Sequence, residues 1–162
     1  ILGPHTALMS MATTAQVAAA QGGAGANARR LAEVQALVRG GRGAELPAVR
    51  VRGTGEHVSG LFIAHPTELR CGRPVYRCER ISSRAGGGRR GTAGSVELYF
   101  EGGGRCWTTG DSAGDWGFWS VFGADAPTPD RVPAGCWEHD DGHFARWGID
   151  ATRMTVEIEP GG

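Results

Sequence analysis

The chain has 162 residues, which is enough for one folded domain of roughly 100 to 150 residues and an additional segment. Its formal net charge is zero, so the total charge gives no support for general binding to polyanions such as nucleic acids. The charge is unevenly distributed, because residues 1–94 hold 13 arginines and 5 acidic residues whereas residues 95–162 hold 4 arginines and 12 acidic residues.

Residues 1–26 form an Ala- and Gly-rich segment without Asp, Glu, Lys or Arg. The segment has neither the basic start of a secretory signal nor an apolar run of about 20 residues. We therefore expect no signal peptide and no membrane span, and the composition favours an intracellular location.

Residues 27–47 predict a short amphipathic helix over Ala28–Arg39, which Asn27 can cap, followed by a linker. The apolar stripe of this helix must be buried somewhere. It packs either on its own domain or on a partner, and in the second case the chain would be a subunit that docks into a larger assembly.

Residues 48–160 are expected to form a β domain, because short apolar stretches alternate there with Gly, Pro and Asp. The clearest strand is Met154–Glu159, where Met154, Val156 and Ile158 alternate with polar residues and predict one buried face. The other predicted strand segments are Val49–Arg52, His57–His65, Arg73–Arg80, Val96–Glu101, Arg105–Thr109, Gly117–Phe122, Ala134–His139 and Phe144–Trp147. A turn is predicted over Pro66–Gly72 and a loop over Ser82–Gly94. This pattern predicts a mainly β fold, an antiparallel β-sandwich or small barrel of about eight short strands with an N-terminal helical extension.

A resemblance follows from the order of several short motifs. These motifs are CGRPVY at Cys71–Tyr76, LYF at Leu98–Phe100, RCW at Arg105–Trp107, GFW at Gly117–Trp119, APTPDRVP at Ala126–Pro133, and Cys136-Trp137. The series resembles a β-rich module of algal and other protist proteins, in which it is often repeated or fused to other domains. The similarity covers about residues 49–159 and implies a β fold and a non-enzymatic role, without naming a site. Cys71 stands where the module usually has Asn, which weakens the preference for a type I′ turn.

The sequence Gly110–Gly114 (GDSAG) matches the nucleophile motif of serine hydrolases and makes Ser112 a candidate nucleophile. A hydrolase would also need a strand–turn–helix around the serine, and a distant acid and histidine. Asp115 and Trp116 follow at once, so a β-turn explains the same residues. A small serine hydrolase is kept as a remote alternative.

The densest group of possible metal ligands is Glu138–His143, in which His139 and His143 flank an Asp-Asp-Gly turn. No second group with the spacing of a metal site accompanies it, so we expect no metal and no cofactor. The four cysteines also lack zinc-site spacing. They are expected as reduced thiols, although an oxidising compartment would allow a pair such as Cys106 with Cys136.

The aromatic residues are concentrated between Val96 and Trp137, where four of the five tryptophans lie. Trp116 and Trp119 differ by three positions and so face opposite sides of a strand, which allows one of them to be exposed. An exposed Trp beside Asp111 or Asp115, with His139 at its edge, would be a platform for a sugar ring or a peptide side chain. The acidic surroundings disfavour nucleic acid.

The sequence therefore predicts a non-catalytic binding or protein-interaction module with a protein partner. The alternative is a glycan-binding module that uses an exposed tryptophan. The predicted ligand-binding residues are Trp116, Trp119, Asp111, Asp115 and His139.

Overall fold

A computed structural model describes residues 24–52, 60–79, 95–103, 105–111, 118–120, 126–139 and 153–160. Within these ranges there is one α-helix, α1, which spans Ala24–Arg39. The strands among these residues are Val49–Arg52 (β1), Gly60–Arg70 (β2), Arg73–Glu79 (β3), Ser95–Glu101 (β4), Cys106–Asp111 (β5), Phe118–Ser120 (β6), Trp137–His139 (β7) and Thr155–Ile158 (β8). Single turns of 3₁₀ helix lie at Gly43–Glu45 and Pro129–Arg131. The mainly β class with one helix before the strands is confirmed.

These strands join one antiparallel sheet in the order β7-β6-β5-β4-β3-β2-β1-β8. Strands β1 to β7 follow one another as a meander, and β8 returns to pair with β1 at the opposite edge. The sheet is curled into a half-barrel. The described residues contain neither a second packed sheet nor a ladder that closes the barrel, so the choice between sandwich and barrel is not confirmed.

Helix α1 packs on the sheet through Val34 and Val38, which are both buried. It begins four residues earlier than predicted, so Asn27 lies inside the helix and does not cap it. Its C-terminus agrees with the prediction: Gly41 takes a φ of 76°, and the Arg42 N–H donates to the Leu37 carbonyl over 2.8 Å. This arrangement is the Schellman motif that glycine favours.

Strand β2 continues to Arg70, so the predicted turn over Pro66–Gly72 is wrong for most of its length. The pairing of β2 with β3 shifts register between Ala64 and Leu69. Such a bulge accommodates Pro66, which has no N–H to donate to a ladder. The His65 imidazole supports the bulge, because its Nδ1 accepts the backbone N–H groups of Thr67 and Glu68 at 3.2 and 3.1 Å.

The turn itself is confined to Cys71 and Gly72, which both have positive φ, of 53° and 76°. Two consecutive residues in this region form the type I′ geometry that suits a two-residue hairpin. Cysteine therefore occupies a conformation that Asn or Gly adopts more easily. The turn also receives support from the helix, because Gln35 Nε2 donates to the Gly72 carbonyl over 2.9 Å.

The connection after α1 crosses β2 at very close range. Gly43 is buried there, and a Cβ at this position would collide with the backbone carbonyl oxygens of His65 and Pro66. Only glycine fits this crossing without a backbone shift.

The core joins buried residues of α1, of the sheet and of the segment 126–137. Its largest fully buried side chains are Trp107, Tyr76, Phe62, Leu98, Met154, Val34, Val38, Val49 and Val51. The predicted alternation of β8 holds for Met154 and Val156 but is wrong for Ile158, whose side chain is 50% exposed. Ile158 pairs with buried Val49, but β8 is an edge strand among the described residues, so one side of Ile158 stays open.

Two predicted elements, the loop Ser82–Gly94 and the strand Phe144–Trp147, lie outside the described residues. All four cysteines are described and none forms a disulfide. Cys71 is exposed and the other three are buried.

Candidate binding site

The structure describes no side chain of the five predicted ligand-binding residues. Trp116 and Asp115 lie outside the described residues, as do Ser112 and His143. For Asp111, Trp119 and His139 the structure describes only the backbone.

That backbone brings their strands together. Trp119 pairs with Thr108 of β5 and Glu138 of β7, Asp111 pairs with Val96, and His139 pairs with Phe118. The structure therefore places the backbones of Trp119 and His139 on adjacent paired strands. The tryptophan platform itself stays a prediction.

The described residues form two adjoining clefts on another part of the molecule, beside the free edge of β8. The first has a volume of about 290 Å³ and lies between α1, the second 3₁₀ turn and the end of β8. The second has a volume of about 420 Å³ and lies between the segment 130–134, β7 and β8. Asp130 and Arg131 line both clefts, so the two clefts adjoin at these residues, and we refer to them together as the groove.

The first cleft is charged. Arg30 and Glu33 of α1 line one side and form an ion pair over 3.1 Å. Asp130 is half-buried and Arg131 is exposed on the other side. Among the described residues, neither of these two side chains has an ion-pair or hydrogen-bond partner. The cleft therefore holds one carboxylate and one guanidinium whose charges are available to a ligand.

Tyr76 lines the same cleft although its side chain is almost completely buried. Burial raises the pKa of its phenol well above the ordinary value, and the negative charge of Asp130 raises it further, while the positive charge of Arg30 opposes the shift. The phenol is therefore protonated at neutral pH and can donate a hydrogen bond into the cleft.

The second cleft has an apolar floor. Trp137 and Met154 line it and are buried beneath its surface, and Val132 adjoins them. Thr155, Val156 and Glu157 of β8 form one wall. A ligand that occupies both clefts therefore meets charged groups in the first and an apolar floor in the second.

The segment that carries Asp130 and Arg131 is anchored through the carbonyl of Ala126. This oxygen accepts a hydrogen bond from Trp107 Nε1 over 2.9 Å and another from Arg73 Nε over 3.1 Å. Trp107 is completely buried and makes edge-on contacts with Tyr76 and Phe100. The groove wall is therefore fixed to the centre of the core.

Local sequence shapes the rest of this wall. Pro129 opens the 3₁₀ turn, where its missing N–H is not needed, and the Arg131 N–H donates to the Thr128 carbonyl over 3.1 Å. Gly135 then takes a φ of 81° in a turn closed by the Cys136 N–H and the Pro133 carbonyl, 3.2 Å apart. Glycine is favoured at this position because L side chains rarely adopt a positive φ.

A second cluster of charged groups, on the outer face of the sheet, is neutralised internally. Arg70 and Arg77 each form ion pairs with both Glu68 and Glu97, at 2.7 to 3.2 Å. The pKa of Glu68 lies below its ordinary value: partial burial raises it, but the hydrogen bond from Arg70 and the charges of the two arginines lower it more. Because these charges satisfy one another, this cluster has less to offer a ligand than the groove.

Sequence reasoning missed the groove, although two of its signals were present. The pattern of α1 put Arg30 on the polar face, and TPDRVP at Thr128–Pro133 contains adjacent opposite charges in a turn. Nothing in the sequence indicates that β8 pairs with β1, and it is this pairing that brings residues 155–158 beside the turn.

Within the described ranges, no group of three or more His, Cys, Asp or Glu side chains could hold a metal ion. The described part also contains no helix that is long and apolar enough to cross a membrane. No family model, curated protein or solved structure matches the chain. The resemblance to the algal and protist module therefore stays a prediction.

Proposed function

We propose that the chain is a non-catalytic module that binds a protein partner, and that the groove formed by the two clefts is its binding site. The observation that carries the proposal is the pair Asp130 and Arg131, which line both clefts and have no side-chain partner in the described part of the chain. Unpaired charged groups beside an apolar floor are typical of binding sites, because one ligand can pair with the charges and cover the apolar surface.

The composition of the groove favours binding over catalysis. Among the described lining residues there is no serine, cysteine or histidine to act as nucleophile or general base. Tyr76 could donate a hydrogen bond, but burial raises the pKa of its phenol and keeps it protonated, so it is not available as a base.

We also infer that the sheet belongs to a small barrel. Its two edge strands, β7 and β8, both line the second cleft, through Trp137 and through Thr155, Val156 and Glu157. The groove would then be the seam of that barrel.

The test is nuclear magnetic resonance of the ¹⁵N-labelled chain during titration with panels of peptides and of glycans. Binding in the groove should shift the Trp137 indole signal and the amides of residues 128–134 most strongly. Arg131→Gln and Asp130→Asn should weaken binding, whereas Arg42→Gln should not, because Arg42 is exposed and lies outside both clefts.

Two results would contradict the proposal. Glycan binding that shifts the signals of Thr108 and Trp119 but leaves the groove unchanged would favour the tryptophan platform. Labelling of Ser112 by a fluorophosphonate probe would favour the hydrolase.

A further inference from the structure

Strand β8 is an edge of the sheet, and its hydrogen-bonding pattern can be read from one contact. The Glu159 N–H donates to the Ala48 carbonyl over 2.8 Å, and the register pairs Arg50 with Glu157 and Arg52 with Thr155. In an antiparallel ladder, such pairs alternate with residues whose N–H and C=O groups point away from the partner. Val156 and Ile158 therefore direct their backbone groups outward, and among the described residues no strand pairs with them.

These two outward-facing residues lie along the groove. Ile158 lines the first cleft and Val156 lines the second. An added strand would present residues two apart opposite them, at a spacing of about 7 Å. One side chain of such a strand would reach the charged cleft, and the next on the same face would lie over Trp137 and Met154.

We propose that the groove binds an extended peptide that adds to the outer edge of β8, with a basic side chain in the first cleft and an apolar side chain in the second. The inference rests on the proposed function and specifies its ligand. Addition of a strand to a free edge is a common mode of peptide recognition, in which the backbone supplies affinity and alternate side chains supply specificity.

The sign of the peptide charge follows from the positions of the charges along the groove. Arg30 and Glu33 neutralise each other. Asp130 and Arg131 are the remaining charged residues of the first cleft, whereas the alternation of β8 directs the side chain of Glu157 to the face opposite Val156. Asp130 is half-buried whereas Arg131 is exposed, so a cation that enters the cleft meets the carboxylate in the less hydrated position, where attraction is stronger.

The probe is the fluorescein-labelled peptide Thr-Val-Thr-Val-Thr-Arg-Thr-Val-Thr, measured by fluorescence anisotropy with the whole chain. Two series of N-methylated forms, methylated at alternate positions, separate backbone pairing from side-chain contact. One series should weaken binding about tenfold or more, and the other by less than about twofold, because only alternate N–H groups face β8.

Charge is tested with a matched pair of peptides. Replacing the arginine of the probe by glutamate should weaken binding about tenfold. The Asp130→Asn variant should lose most of this discrimination, and Arg42→Gln, remote from the groove, should retain it. Equal binding of both peptides to the native chain would overturn the assignment of a basic side chain.

Two proline variants test the edge within the chain. Ile158→Pro removes an outward N–H and should abolish binding of the probe while the chain stays folded. Glu157→Pro removes an N–H that pairs with β1 and should lower the melting temperature. If Ile158→Pro unfolds the chain as strongly as Glu157→Pro, the outward N–H already has a partner within the chain and the inference is wrong.

The peptide results also separate this inference from the proposed function. Binding that shifts the Trp137 indole but is equally sensitive to both methylated series would keep the groove as the site and reject strand addition. If the probe fails to bind while glycans or other peptides shift the groove signals, the groove likewise stays the site and strand addition is rejected. Failure of every ligand to reach the groove would reject both.

Discussion

The Ala126 carbonyl offers a sharp test of how the groove wall is held. It is buried, and it accepts hydrogen bonds from both Trp107 and Arg73. Replacing one donor leaves the other in place, whereas replacing both removes the two donors that the described residues supply to this buried carbonyl. We expect Trp107→Phe and Arg73→Met to be more destabilising together than the sum of their separate effects.

The magnitudes follow from what each change removes. Trp107→Phe deletes part of a completely buried ring and one hydrogen bond, and should lower the free energy of unfolding by about 3 kcal/mol. Arg73→Met removes one hydrogen bond and the guanidinium packed 3.9 Å from the centre of the Phe100 ring, a loss of about 2 kcal/mol. The double variant should lose a further 1 to 2 kcal/mol, roughly the penalty for an unsatisfied buried carbonyl.

Urea unfolding of the native chain and the three variants, followed by far-ultraviolet circular dichroism, measures these terms. Circular dichroism is preferable to tryptophan fluorescence because two of the three variants lack Trp107. All four proteins should be measured in the same concentration of a stabilising osmolyte, so that the double variant retains a folded baseline. Additivity within about 0.3 kcal/mol would refute a shared acceptor.

Four further predictions concern single positions. Gly43→Ala should lower the free energy of unfolding by about 2 kcal/mol or more, because the added Cβ would meet backbone atoms. Gly25→Ala, in open space on the helix, should instead raise the free energy of unfolding by about 0.5 to 1 kcal/mol. Equal effects of the two variants in a thermal melt would contradict the close crossing at Gly43. Because the pKa of Glu68 is lowered in the folded state, its stabilising contribution is present above the ordinary pKa of 4.5 and is lost as the pH falls through the folded pKa. A Glu68→Gln variant should therefore lose less stability in acid than the native chain does. An identical dependence of stability on pH would refute the shift. Burial raises the pKa of Cys106 to about 11, so iodoacetamide at pH 8 should modify exposed Cys71 first, as mass spectrometry of the folded chain can show; equal rates would contradict the burial. Cys71→Asn should raise the melting temperature, since Asn adopts the positive φ of that turn more readily, and a lower melting temperature would show that the thiol makes contacts that outweigh the backbone preference.

Local patterns predicted the elements well where one physical cause dominates. The glycines after Arg39 ended the helix as expected, because no other residue adopts positive φ at so little cost. The predicted strand Val49–Arg52 is also confirmed, and in it buried Val49 and Val51 alternate with more exposed arginines.

The errors arose where tertiary contacts override local signals. Pro66 marked a turn in the sequence but lies in a bulge of a long strand, where His65 satisfies the neighbouring N–H groups. Ile158 continued an apolar alternation but lies on an edge strand and lines a cleft, where its side chain is 50% exposed. The groove could not be predicted, because it depends on a pairing between residues more than 100 positions apart.

That distant pairing has a consequence for how the chain acquires its structure during synthesis. Each of the strands β1 to β6 pairs with the next strand in sequence, which closes far shorter loops than the pairing of β1 with β8 and is therefore faster. The outer edge of β1 receives its partner only when residues 155–158 have left the ribosome. Until then the outer edge of β1 is unpaired and can pair with a strand of another nascent chain. The two hydrogen bonds from Arg50 to Glu159, at 2.7 and 3.0 Å, then help to hold β8 against β1. Truncation before Thr155, which removes β8, should therefore show itself first as aggregation and only secondarily as lost binding.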